Sequence, residues 1–393
     1  MTARSTLTLV LLVSCAHAMV HIYELSFPGV EQQVAGDYFP GEEAAGKRIS
    51  GYISNSWRIT WGLGALLAGW LVDRYGSRRM LAIYLLGCAV TCVLAGLHLN
   101  LPALFVVMMA MGAFASIYHP AGLALISHNT TPENRARALG IHGIFGSAGI
   151  SSGPLLAGIM LSITSWRMFY VALALPGIIL GAVFVSEARK FERPGAAKSE
   201  TDKPNEEDNS SMWNMFYVLT VFSALQGFVY SGLLSFLPRY LTGVTAGGVD
   251  YGNFYAAGVL VVGCVGQYVS GRLARSSFLE GQLALVSFAN VPWLAWMALG
   301  VDGNLRLVPT TLLVLVHFML QPVYNSLIAK YTPVARRSLC YGISFAIGLG
   351  LGSFGATYAG IYNDRVTYAT LSGCMLLSAF VAVLLWWMDR KTK

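Results

Sequence analysis

The sequence predicts an all-α membrane protein of twelve transmembrane helices, arranged as two pseudo-symmetric six-helix bundles. Three observations carry this. Hydrophobic residues make up 55% of the 393 residues and charged ones only 11%, against about 25% charged in ordinary soluble domains. A chain this apolar needs lipid as the solvent for much of its surface. Apolar stretches of spanning length recur along the whole chain. Landmarks also repeat between the two halves at an offset close to 202.

The first stretch, 6–28, follows Arg4 and runs through Val13, Val20, Ile22 and Phe27 to Pro28. Its start, with Cys15 and Ala16-His17-Ala18, has features of a secretory or lipoprotein signal. Apolar character continues to about the length of one bilayer crossing, so a retained first helix is expected. Five more stretches follow at 50–72, 80–98, 101–126, 138–162 and 167–186. A second set falls at 213–238, 251–272, 279–299, 307–329, 338–361 and 366–388. Each is bounded by charges or by Gly/Pro clusters. The segment 187–212 is the only strongly polar one and reads as a flexible linker. The expected domains are therefore 1–186 and 213–393, joined by a cytoplasmic linker.

Lysine and arginine set the expected orientation. With the N-terminus cytoplasmic, one side collects Arg74, Arg78 and Arg79, then Arg135 and Arg137, the linker cluster, Arg272 and Arg275, and Arg336 and Arg337. The C-terminal Arg390, Lys391 and Lys393 join them, whereas the first loop on the other side is acidic, with Glu31, Asp37, Glu42 and Glu43. Both termini are thus expected on the cytoplasmic face of a bacterial inner membrane. The net charge of +7 reflects this asymmetry. No basic run with interleaved aromatics points to nucleic acid. The six cysteines sit in apolar stretches without ligand spacing and read as small buried hydrophobes. His98 and His128 fall near loops and carry no signal. No phosphate loop, dinucleotide fingerprint or zinc spacing is present. No soluble segment is large enough for a nucleotide-driven pump, and no enzyme activity or cofactor is expected.

The repeat is in parallel topology. Gly69 and Gly271 differ by 202, as do Pro120 and Pro322, while Thr131-Pro132 and Thr332-Pro333 differ by 201. This implies duplication, with two halves facing a central path. Between the second and third helices stands Gly69-Trp-Leu-Val-Asp73-Arg74-Tyr-Gly76-Ser-Arg78-Arg79. It closely resembles the signature G-x-L-a-D-R-x-G-R-R of the major facilitator superfamily, and the resemblance extends over the full chain. It implies a gate latch in which Asp73 pairs with cations on a cytoplasmic loop. The second copy, Gly271-Arg-Leu-Ala-Arg275, puts a base where the acid would stand. In the fifth helix, Gly146, Gly149, Gly153-Pro154 and Gly158 resemble the glycine-proline pattern of exporters in that superfamily. They supply close packing and a bend point. The stretches His21-Ile-Tyr-Glu24-Leu-Ser-Phe-Pro28 and Tyr118-His119-Pro120 resemble fosmidomycin-resistance-type efflux carriers. Tyr23-Glu24 departs from the Asn-Asp usual there.

Ionisable residues inside a membrane helix face a watery path or pair with one another. His17, His21, Glu24 and Pro28 share one helical face. Glu24 is the only acid read as lying well inside a span, and Arg58 is the clearest deep cation. Their depths, counted from the span ends, differ by about 5 Å, which lets neighbouring helices bring them together. Proton-coupled exchange at Glu24, His21 and Arg58 is the expectation. Arg58 would keep the carboxylate ionised when close and release it when a substrate anion competes. A static ion pair is the plainer alternative. His119 and His142 read as packed, hydrogen-bonded histidines toward the cytoplasmic third, with His119 kept among the candidates. A transition-metal site from His17, His21, Glu24 and His119 has suitable ligands. The spacing spreads the first three over two turns and sets His119 nearer the other side, so no metal is expected. In the second half, Gln226, Tyr230, His317, Gln321, Tyr324 and Asn325 are uncharged groups suited to hydrogen-bonding a solute.

The expected protein is a monomeric secondary transporter of a small, anionic or amphiphilic solute, exported by alternating access against proton entry. Its partners are the solute, protons and the lipid bilayer. A proton-coupled importer or uniporter of a polar metabolite is the first alternative. A transporter-fold receptor without net flux is the second.

Overall fold

A computed structural model describes residues 3–97, 99–186, 210–244, 249–274, 277–333 and 336–391. His98, Arg275 and most of the expected linker lie outside the described residues. Contacts divide the chain into two compact units, Met1–Glu200 and Thr201–Lys393.

The first unit contains α1 (Ala3–Tyr38), α2 (Glu43–Tyr75), α3 (Ser77–Ala95), α4 (Leu101–Ala115), α5 (Tyr118–Asn129), α6 (Pro132–Leu161) and α7 (Trp166–Ser186). The second contains α8 (Ser210–Ser235), α9 (Leu237–Leu241), α10 (Val249–Leu273), α11 (Leu279–Ala298), α12 (Leu307–Phe318), α13 (Leu320–Lys330), α14 (Arg337–Phe345), α15 (Phe354–Ile361) and α16 (Asp364–Lys391). Among the described residues, ten helical segments are long and apolar enough to cross a membrane. The helices α2 and α11, of 33 and 20 residues, stand at the two remaining expected positions. α2 is the less apolar of the two and buries Ser50, Ser54 and Arg58, while α11 buries Glu280, Ser287 and Asn290.

Large apolar side chains point outward as well as inward. Leu67, Val106, Ile144 and Leu175 in the first unit, and Leu285 and Phe380 in the second, are all well exposed. Such a surface is stable in lipid, where nothing forces it inward. The chain is a multi-pass membrane protein.

The fourth and tenth spans are each broken, and proline explains both. Pro120 follows the break between α4 and α5 at Ser116–Ile117, and Pro322 follows the break between α12 and α13 at Met319. A proline ring displaces the carbonyl four residues earlier, which is where each helix stops. The eleventh span is interrupted differently, by a π-turn over Ala346–Gly350 and a 3₁₀ turn over Leu351–Ser353.

Packing repeats in the two units. The principal pairs in the first are α1 with α6, α3 with α7 and α2 with α4. In the second, α8 packs on α15 and the π-turn, α11 on α16 and α10 on α12.

One expectation is corrected here. The first span does not stop at Pro28; α1 continues to Tyr38, with Pro28 inside it. Glu31, expected in a loop, is 1% exposed within the helix. Asp37, also expected in that loop, ties the helix end to the start of α7, accepting hydrogen bonds from Trp166 Nε1 at 2.8 Å and Arg167 Nη1 at 2.5 Å. Packing along α6 within the same unit, and the tie from Asp37 to α7, hold the helix beyond the proline, so it runs on.

Candidate functional site

The longer helices move the charged residues inward. Glu24 stands 14 residues from the end of α1 (24 to 38), and Arg58 stands 15 from the start of α2 (43 to 58). The two are therefore at nearly the same depth, about 1.5 Å apart along the axes. Each is 2% exposed. Arg58 Nη1 donates to Glu24 Oε1 at 2.6 Å, and His21 Nδ1 lies 2.8 Å from Glu24 Oε2. Both carboxylate oxygens are thus satisfied by groups on two helices. A buried charge without such partners costs several kcal/mol.

These contacts also assign tautomers. Since the carboxylate paired with arginine has no proton to give, His21 Nδ1 must donate. His17 Nδ1 stands 2.8 Å from the His142 carbonyl oxygen, which only accepts, so it donates too. Tyr118 Oη donates to the Val13 carbonyl at 3.0 Å and lies 2.7 Å from His142 Nε2. With its one proton committed, the tyrosine accepts from His142. His142 is the packed, hydrogen-bonded residue that the sequence suggested.

His119 is not where it was expected. Rather than standing nearer the opposite side, its ring lies 5.6 Å from that of His17 and 5.8 Å from that of His21, centroid to centroid. The break at Ser116–Ile117 turns the start of α5 toward α1, a rearrangement that residue counting along a straight helix misses. Trp61 closes one side, 5.9 Å from His119 and 6.2 Å from His21.

Glycines on α6 create the room. A Cβ at Gly146 would stand 2.3 Å from His17 Cε1; at Gly149 it would stand 2.3 Å from the Ala18 carbonyl oxygen; at Gly153, 2.8 Å from Leu25 Cβ. The stripe seats α1 and its histidines, and Pro154 lies directly after it within α6.

At the motif between α2 and α3, Gly76 has φ +85°, a left-handed conformation that glycine adopts without strain. Position 69 has open space around it. Asp73, Arg74 and Arg79 are exposed, while Arg78 is buried. Arg74 lies over the rings of Trp70 and Tyr75 at 5.3 and 5.6 Å. Among the described residues Asp73 makes no ion pair within this unit.

In the second unit the candidates divide into smaller groups. His317 Nδ1 lies 3.1 Å from Asn290 Oδ1, whose amide nitrogen is spent on the Val286 carbonyl. His317 Nδ1 therefore donates, and its Nε2 accepts from Gln226 Nε2 at 3.3 Å. Tyr230 stacks nearby, 6.3 Å from the His317 ring. Gln321 is exposed and accepts from Gln267 at 3.1 Å. Tyr324 stacks on Phe222 at 5.8 Å, and Asn325 is exposed, its carbonyl accepting from Tyr341. Asn290 and Gln267 are members the sequence reading missed.

Glu24 is also not the only deeply buried acid. Glu280 is 1% and Asp389 5% exposed. Lys330 Nζ reaches Glu280 at 2.5 Å and Asp389 at 2.8 Å, and Tyr331 Oη stands within hydrogen-bond distance of both carboxylates, with one proton to donate between them. Burial, and then these two acids, push the Tyr331 hydroxyl far above its ordinary range, so it stays a donor. Both acids lie at the rims of apolar stretches, where a charge reads as a helix end. Only packing of α11 on α16 shows them to be enclosed.

Comparison with known proteins adds the following. The Major Facilitator Superfamily model matches residues 44–357. The tetracenomycin C resistance and export protein of Streptomyces glaucescens is 26% identical over 36% of this chain and 27% of its own length. The puromycin resistance protein of Streptomyces alboniger is 31% identical over 30% of this chain and 23% of its own. The chain thus spans about a quarter of the length of these relatives. A putative metabolite transport protein of Haemophilus influenzae is 24% identical over 83% of this chain and 85% of its own. Among solved structures, a bacterial homologue of the human lysosomal transporter Spinster superposes with TM-score 0.80 at 15% identity, covering 100% of this chain and 99% of that one.

Proposed function

Because the chain belongs to the Major Facilitator Superfamily, a family of membrane transporters, we propose that it is a proton-driven exporter of a small amphiphilic solute, working by alternating access. It works as a monomer in a bacterial inner membrane with both termini cytoplasmic. The distribution of arginine and lysine supports that orientation.

One observation carries the reading. Glu24 is an enclosed carboxylate whose two oxygens are held by Arg58 and His21. A solute that brings its own donors to Glu24 competes with a proton for the same oxygens. Loading the solute from one side then expels the proton, and proton entry from the other expels the solute. The resistance and export names of relatives support the direction.

Arg58 favours one second reading. An anion that takes over the guanidinium leaves Glu24 to acquire a proton, so anion and proton travel together, as in an importer. The sign of the linkage separates the two. In inside-out vesicles with an acid interior, puromycin accumulation is expected in the intact protein. Glu24→Gln is expected to abolish accumulation while counterflow of labelled puromycin continues. Proton-driven accumulation that persists in Glu24→Gln defeats the reading. Proton uptake, rather than release, on solute binding moves the assignment to the co-transporter.

A further inference from the structure

We propose that His17, His21 and His119 form a binding site for a transition-metal dication of the zinc, cobalt or nickel type. A ring nitrogen from each of the three lies within 4.8 Å of the others. Around a tetrahedral ion with metal–nitrogen bonds of about 2.0–2.1 Å, three such nitrogens stand roughly 3.4 Å apart. Closing the difference takes shifts of about 1 Å, within reach of small ring rotations.

The hydrogen bonds favour metal binding over simple packing. A metal-bound histidine typically donates its second ring N–H to a carboxylate or a backbone carbonyl, which sets the tautomer and raises ligand basicity. His21 donates Nδ1–H to the Glu24 carboxylate, and His17 donates Nδ1–H to the His142 carbonyl. Both partners have the required chemistry, and both leave the Nε2 lone pair for a cation. Histidines packed only for shape have no need of this arrangement twice, on one helix, beside a third imidazole.

Space and access agree. Gly146 is the residue against the His17 ring, and any side chain there would push the imidazole off its place. His17 is enclosed, whereas His21 and His119 are partly exposed. Three imidazoles select borderline metals over magnesium and calcium, which take oxygen ligands. They leave a tetrahedral ion one position for water or a solute group. This inference stands apart from the proton-coupling reading, since it needs neutral imidazoles and no flux.

The test uses full-length protein without an affinity tag, stripped of metal and titrated with zinc chloride by calorimetry and with cobalt chloride by visible absorption. One equivalent of Zn²⁺ is expected, with the intense spectrum of tetrahedral Co²⁺ and no competition from Mg²⁺. His17→Ala, His21→Ala and His119→Ala are each expected to weaken Zn²⁺ binding at least ~10-fold, and Glu24→Gln by about 10–100-fold through His21. His128→Ala, at an exposed position, is expected to bind normally. Any ligand variant that fails to fold is replaced by glutamine at the same position. The wild-type cobalt spectrum decides independently of all variants. Absence of stoichiometric binding, a weak octahedral cobalt spectrum, or binding unchanged in the three variants overturns the site. No transport is read out, so failure of the exporter reading and failure of this one are distinguishable.

Discussion

Glu24 and Arg58 each bear a charge that the interior would reject alone, and their 2.6 Å contact reconciles both. The consequence is asymmetric. Removing one partner strands the other, at about 3–5 kcal/mol, whereas replacing both with uncharged groups of similar size is often neutral. Arg58→Ala is therefore expected to lower the thermal unfolding temperature of the purified protein sharply. The double variant Glu24→Gln with Arg58→Met is expected to recover most of that loss while remaining unable to respond to a proton gradient. A single variant as stable as wild type would mean that the pair carries little of the local energy. The pairing itself was legible from the sequence, because two ionisable residues at similar depth on adjacent membrane helices have few alternatives. The gathering of His119 with His17 and His21 was not. It depends on a helix break four residues ahead of Pro120, and counting residues along one axis cannot show which way the chain turns.

At the level of helices, the seam between α1 and α6 is set by glycine. The same device recurs in the second unit at the same offset. Gly146 and Gly348 differ by 202, as do Gly153 and Gly355. A Cβ at Gly348 would stand 2.5 Å from Ser223 Oγ, and one at Gly355 would strike the Phe228 carbonyl oxygen on α8. The first and seventh spans are thus each pressed against a glycine-bearing partner. Contact of this kind is the main route to tight helix association in lipid, where no hydrophobic force operates between apolar surfaces. Gly149→Ala puts a methyl group 2.3 Å from the backbone oxygen of Ala18, with rigid helix on both sides. It is expected to cost about 1–3 kcal/mol, read as a lowered melting temperature. Gly143→Ala, with nothing within 4 Å of the new Cβ, is the matched control and is expected to be neutral or slightly stabilising through helix propensity. Equal effects of the two substitutions would remove the close-packing argument. The glycine pattern was visible in the sequence as a candidate for packing and bending. What each glycine faces was not.

Over the whole molecule, two units each close on their own contacts, with the division inside the polar segment. A protease site engineered within 187–209 and cleaved after purification is expected to leave both melting temperature and transport unchanged. Loss of either on cleavage would give that segment a structural role beyond connection. The architecture was readable early because membrane folding rests on signals that are local and additive. Runs of apolar residues have to reach across about 30 Å of hydrocarbon, and duplication leaves a constant offset. By itself the sequence therefore determined the fold class, the span order, the repeat and the likeness to the superfamily. It also revealed that the halves differ in chemistry: Glu24 corresponds at offset 202 to Gln226, an acid on one side and an amide on the other. Only the tertiary structure decided that α1 runs on to Tyr38, that Glu280 and Asp389 are enclosed with Lys330, and that three histidines from two helices share one space. The physical reason is common to all three. Burial and convergence are properties of how helices lean on one another, and that depends on pairs of residues distant in the chain, which no run, motif or spacing records.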